Sequence, residues 1–138
     1  LRLYRSNREK VFGSSRWNYT CKKGIWQKNQ ALAKALAEHI PVACPNLGYT
    51  QSHQVFLDYG GYKQGRKIAE KLKKANIIVD CGVRVGVCEV TRRGMKEKEM
   101  LKIADLVKRI VMDNEQAHII KREVIKFVSE FKEIKFTF

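Results

Sequence analysis

Residues 76–95 carry the feature that most limits the fold, because two different periodicities meet there. The stretch begins with the β-branched run 77–79 and continues with tight alternation from Gly82 to Gly86. Beyond Gly94, apolar residues recur at helical spacing instead. A change from period two to period 3.6 over so short a distance predicts a strand followed closely by a helix.

Arg84 stands out within this stretch, because it lies in an apolar, strand-like run with Gly82 and Gly86 on either side. An unpaired buried charge is costly, so we expect this arginine to have a specific anionic partner. The two glycines leave room for a ligand or a neighbouring backbone to approach. Two interpretations stay open: a bound carboxylate ligand, or an internal salt bridge with Asp80 or Glu89.

Periodic patterns along the rest of the chain predict its fold class. Apolar stripes at helical spacing predict helices over 27–39, 64–75, 96–112 and 115–131. Strand patterns cover 41–44, 52–59, 77–79 and 83–90, and residues 134–138 alternate as a terminal strand would. Few strands among amphipathic helices predict a two-layer α/β (α+β) sandwich, whose small, mainly antiparallel sheet is covered on one face by helices.

Cysteine and histidine positions predict no metal site. The four cysteines, at positions 21, 44, 81 and 88, lack the close paired spacing of zinc ligands. Free thiols fit a reducing, cytoplasmic location, and residues 1–25 show no signal-peptide pattern. No apolar run approaches the roughly 20 residues of a membrane span. His53 lies in a predicted strand, where a structural role is favoured and a functional role is the alternative.

The stretch around Arg84 resembles the C-terminal (small) domain of serine hydroxymethyltransferase (glycine hydroxymethyltransferase), a pyridoxal-phosphate-dependent enzyme of fold-type I. That family has a run like Ser-Gly-Ile-Arg-Leu-Gly-Thr, followed by Thr-Arg-Arg-Gly-Met. This chain reads Cys81-Gly82-Val83-Arg84-Val85-Gly86-Val87 and then Thr91-Arg92-Arg93-Gly94-Met95. The resemblance implies that Arg84 binds the carboxylate of the amino-acid substrate. Cys81 and Val87 replace a serine and a threonine of the family, so the hydrogen bonds around the arginine are expected to differ.

The resemblance also implies a domain division and a set of partners. It separates a poorly matched basic segment, residues 1–25, from a hydroxymethyltransferase C-terminal-like domain, residues 26–138. The full-length family uses pyridoxal phosphate and a tetrahydropterin, and the lysine that forms the Schiff base lies in a large domain. No such lysine run occurs here, so we expect a fragment that supplies no catalytic residue, binds no cofactor alone and is inactive in isolation. Its expected partners are the missing large domain, glycine or serine, and a second copy of the chain.

Two alternative functions stay open, and the charge of the chain supports the first of them. The formal net charge is +14, and residues 1–28 hold eight basic residues and one acidic residue. A basic nucleic-acid-binding module would use residues 1–28 and the basic helix at 64–75. The helix at 64–75 contains no aromatic residue, so stacking platforms for bases are not evident on it and nucleic acid is the less favoured partner. The other alternative is an interaction domain without catalytic function.

Overall fold

The computed structural model describes Leu1, Leu3 and residues 25–40, 53–57, 62–80 and 84–135. These residues form α1 (Ile25–Ala37), β1 (Gln54–Phe56), α2 (Tyr62–Lys74), β2 (Arg84–Gly86), α3 (Cys88–Arg92), α4 (Glu97–Val111) and α5 (Ala117–Ser129). The four longer helices begin and end within two residues of the predicted bounds. Among the described helices, none is long and apolar enough to cross a membrane.

The described sheet is an antiparallel ladder of β1 and β2. Val55 lies opposite Val85, and Phe56 lies opposite Arg84. One further bond extends the ladder, since the Val87 N–H donates to the His53 carbonyl at 3.0 Å. The predicted strand at 41–44 lies outside the described residues.

Leu3, near the start of the chain, lies beside this ladder. The Gly86 N–H donates to the Leu3 carbonyl, and the Leu3 N–H donates to the Ile78 carbonyl at 2.8 Å. Leu3 is fully buried. At least this part of the basic N-terminal segment therefore contributes to the core, although the boundary at residue 25 stays a prediction.

The helices pack on one side of the ladder, as the two-layer prediction requires. Val55 and Val85 are buried there, and α1 contacts β1. The central helix is α4, which packs against α1, α2 and α5. Its apolar stripe is buried at Met100, Ile103, Ala104, Leu106, Val107 and Ile110. The opposite side of the ladder carries Phe56 and Arg84, and we call it the open face.

Three predicted strands differ from the structure. Of the strand predicted over 77–79, only Ile78 forms a bridge, through its backbone bonds with Leu1 and Leu3. The strand predicted over 83–90 ends at Gly86, and α3 begins at Cys88. The reason is that Val87, Val90 and Thr91 are all buried, and this i, i+3, i+4 spacing suits a helix. Of the predicted terminal strand, the described residues 134 and 135 are not in a strand, and Ile134 is exposed.

Candidate substrate-carboxylate site

Strand β2 directs Arg84 to the open face. Neighbouring residues of a strand point to opposite sides, so Arg84 points outward where Val85 points into the core. Because the His53–Val87 pair is hydrogen-bonded, Phe56 and Arg84 fall on a non-hydrogen-bonded pair, at which side chains lie closest. Phe56 is 50% exposed. The site is thus a guanidinium beside an exposed aromatic ring.

Arg84 is an exposed charge in the structure, and it contacts Asp80, one of the two carboxylates considered as its internal partner. Its side chain is 45% exposed, because no helix among the described elements covers the open face. Within the described residues, Arg84 makes a single polar contact, from its Nη2 atom to Asp80 Oδ2 at 3.3 Å. A guanidinium has two edges that can each donate a pair of parallel hydrogen bonds, and one contact leaves an edge available.

Glu89, the other carboxylate considered as a partner of Arg84, is engaged elsewhere. It contacts Arg92 at 3.5 Å and Arg93 at 3.0 Å, both on the turn that follows it. Arg93 also donates from Nη1 to the Phe131 carbonyl at 3.2 Å. Arg93 therefore links α3 to the residues just after α5, whereas the Arg92 side chain pairs with Glu89 within α3.

A buried polar pair ties the site to the helix layer. The Thr91 hydroxyl lies 2.6 Å from Asn29 Oδ1 and 2.9 Å from the Val87 carbonyl. Asn29 and Thr91 are 3% and 1% exposed. Since Val87 joins β2 to α3, this pair connects α1 with the junction that follows Arg84. Sequence reasoning missed Asn29, although its place on the apolar stripe with Leu32 and Leu36 was a usable signal.

His53 lies at the other end of the ladder from Arg84. It is half-buried, and this burial lowers the pKa of its imidazole. Its carbonyl accepts the ladder bond from Val87, which is a structural role for the backbone of this residue. Among the described residues, no group of three histidines, cysteines or acidic residues could hold a metal ion.

One cavity of the described region does not suit the cofactor that the resemblance implies. It has a volume of about 180 Å³ and is lined by Leu1, Ile78, Glu89, Val90, Arg93 and Val128. Pyridoxal phosphate requires a lysine amine for its Schiff base, and no lysine lines this cavity.

Comparisons with known proteins agree with the resemblance. No protein-family model matches the chain. A serine hydroxymethyltransferase from Saccharolobus islandicus is 42% identical, over 94% of this chain and 32% of that protein. A serine hydroxymethyltransferase from Methanocella arvoryzae is 35% identical, over 83% of this chain and 31% of that protein. The chain thus spans about a third of the length of these relatives.

A solved structure shares the fold. An L-threonine transaldolase from Pseudomonas fluorescens, in its internal aldimine state, matches with a TM-score of 0.69 and 25% identity. The match covers 76% of this chain and 28% of the transaldolase. Sequence and structure therefore agree on one relationship: the chain is homologous to serine hydroxymethyltransferases over about a third of their length, as a counterpart of their C-terminal domain.

Proposed function

We propose that this chain is the substrate-carboxylate-binding domain of a serine hydroxymethyltransferase-like enzyme, with Arg84 as the residue that binds the carboxylate of glycine or serine. The reaction is the interconversion of serine and glycine with a tetrahydropterin as the one-carbon carrier. The observation that carries the proposal is the place of Arg84, which lies on the open face with an edge of its guanidinium available.

The chemistry of arginine suits this role. The planar guanidinium can donate two parallel hydrogen bonds to a carboxylate, which a lysine ammonium cannot reproduce. Phe56 lies directly across the ladder, so its ring would exclude water from one side of the ion pair. An ion pair shielded from water is stronger than one in bulk solvent, because the effective dielectric constant is lower.

The rest of the active site is expected from a large domain, in the same or a separate polypeptide. Pyridoxal phosphate would supply the electron sink of the reaction, and that domain would hold it together with the tetrahydropterin. We propose residues 26–138 as the domain that docks through its open face. By itself the chain should bind pyridoxal phosphate only as weak, nonspecific imines of surface lysines, without cleaving serine.

A chimaera tests this proposal directly. The whole chain replaces the matching third of the Saccharolobus islandicus relative, and serine cleavage is measured with a tetrahydropterin present. Arg84→Lys should raise KM for L-serine about 10- to 100-fold, the value of a charged hydrogen bond of 1.5–3 kcal/mol. Arg66→Lys is the matched control, since that exposed arginine lies on α2, and it should leave KM unchanged. An unchanged KM in Arg84→Lys, in an active chimaera, would refute the role.

A further inference from the structure

We infer that the Asp80 carboxylate competes with a substrate carboxylate for Arg84, and that it thereby sets the affinity of the site for amino acids. This inference rests on the proposed function. It assigns a role in substrate affinity to a residue outside the motif that carries the family resemblance.

The geometry of the Asp80 contact is that of a weak partner, which leaves part of the guanidinium available. One nitrogen of Arg84 contacts one oxygen of Asp80 at 3.3 Å, whereas charge-assisted hydrogen bonds are commonly about 2.7–2.9 Å. Arg109 shows how the same chain builds a structural arginine. Its guanidinium makes four contacts of 2.7 to 2.9 Å with Glu115 and Glu123, and its side chain is 23% exposed.

The guanidinium of Arg84 and the carboxylate of Asp80 differ in how easily solvent reaches them. Asp80 is 17% exposed, while the side chain of Arg84 is 45% exposed. Asp80 therefore contacts the guanidinium on the side that faces the protein. The outer side of the guanidinium faces solvent. A ligand carboxylate would approach from that outer side without moving Asp80 into the core.

Electrostatics makes Asp80 a competitor rather than a helper. A ligand carboxylate on Arg84 would share one positive charge with Asp80, and the two like charges would repel each other across the guanidinium. Among the described residues, no second cation contacts Asp80 to offset this repulsion. Removing the negative charge of Asp80 should thus strengthen the binding of a carboxylate to Arg84.

The experiment uses the full 138-residue chain and glycine as the probe. The Nε–H signal of Arg84 is followed by ¹⁵N NMR during a glycine titration of the wild type and Asp80→Asn. The variant keeps the size of the side chain and should bind glycine about two- to fivefold more tightly, which is the range of an exposed ion pair. Asp80→Ser provides the same test should Asp80→Asn fail to fold.

Glu70→Gln is the matched control for net charge. Glu70 contacts Arg66 at 3.7 Å on α2, both side chains are largely exposed, and the substitution changes the net charge by the same amount. Its glycine affinity should equal that of the wild type. If Glu70→Gln and Asp80→Asn both bound glycine more tightly by the same factor, the effect would be due to net charge, and the inference would be overturned.

Arg84→Ala separates the failure of this inference from that of the proposed function. Because Arg84→Ala lacks the Nε–H signal of Arg84, its glycine binding is followed on the backbone amide signals of β1 and β2. Loss of glycine binding in Arg84→Ala, with Asp80→Asn equal to or weaker than the wild type, overturns the role of Asp80 alone. Glycine binding that survives Arg84→Ala, or an Arg84 signal that glycine moves in none of the proteins, overturns the proposed function and this inference together.

Discussion

At the scale of single residues, Arg109 shows what holds the last helix in place. It lies in the last turn of α4 and donates to Glu115, just before α5, and to Glu123 within α5. Lys102 adds a contact to Glu123 at 3.3 Å. The hydrogen bonds from Arg109 lower the pKa of Glu123 to about 2, and they also lower the pKa of Glu115. The network is therefore a pH-dependent link between the two helices.

We expect stability to fall in acid as this link is lost. A carboxyl group whose pKa is depressed in the folded state stabilises the protein above its unfolded pKa. That contribution should be complete above the ordinary value of 4.5 and should disappear as the pH falls towards about 2. Since Glu123 is 36% exposed, solvent screening limits its contribution to about 1 kcal/mol.

Thermal melts of the wild type and Glu123→Gln across this pH range measure the effect. The variant should melt at a lower temperature than the wild type at neutral pH, and the difference should close near pH 2. Glu70→Gln removes the partner of a far more exposed arginine and should match the wild type throughout. A difference between the wild type and Glu123→Gln that does not depend on pH would contradict this account of the network.

At the scale of elements, the turn after α3 decides how β2 and α4 are connected. Gly94 has a φ of +76°. Its N–H donates to the Thr91 carbonyl at 2.8 Å, and the Met95 N–H donates to the Val90 carbonyl at 3.1 Å. These two bonds form a Schellman motif, in which the residue after the helix cap adopts the left-handed conformation. Met95 is then buried, and α4 begins two residues later.

Gly94→Ala should destabilise the chain by about 1–2 kcal/mol, the cost of a left-handed conformation for a residue with a Cβ atom. The added Cβ atom would also lie 2.5 Å from Lys135 Cδ, although that flexible side chain can move. The measurement is the free energy of unfolding in urea.

The end of α2 offers a matched control for this prediction. Asn76 has a φ of 61° and the same pair of bonds, from Asn76 to Lys73 and from Ile77 to Leu72. Asn76→Gly keeps the left-handed conformation accessible, so it should not destabilise the chain by a comparable amount. If Gly94→Ala were as stable as the wild type, the turn would not require glycine.

At the scale of the whole molecule, the candidate site does not explain the net charge of +14. Helix α2 exposes a basic surface formed by Lys63, Arg66, Lys67, Lys71, Lys73 and Lys74. Its apolar side is buried at Ile68 and Leu72. The basic residues therefore lie on the solvent-exposed face of an ordinary amphipathic helix. The hydroxymethyltransferase homology favours the main function over nucleic-acid binding.

Any affinity for nucleic acid should therefore be blind to sequence and should collapse with salt. Such binding would come from counterions released by scattered lysines, and its logarithm falls linearly with that of the salt concentration. Gel-shift titrations at low and physiological salt, with two unrelated sequences, measure this. The double variant Lys67→Glu and Lys74→Glu should weaken binding to both sequences equally. Tight, sequence-selective binding at physiological salt would instead promote nucleic-acid recognition above the proposed function.

The sequence by itself determined the helices and the family. Each long helix carries its own apolar stripe, and the periodicity of such a stripe is a local property that survives without knowledge of its partners. The run around Arg84 and the Thr-Arg-Arg-Gly-Met run are likewise contiguous, so the family could be recognised from them. The one-sided sheet also followed, because few strands stand among several amphipathic helices.

Only the tertiary structure decided the environment of the site. The apolar neighbours of Arg84 do not determine its exposure, because that depends on which face of the ladder the helices cover. The strand stops at Gly86 because Val87, Val90 and Thr91 all find buried positions, and Asn29 meets Thr91 across 62 residues of chain. Burial and pairing of this kind arise from contacts between distant segments, which a pattern of neighbouring residues does not contain.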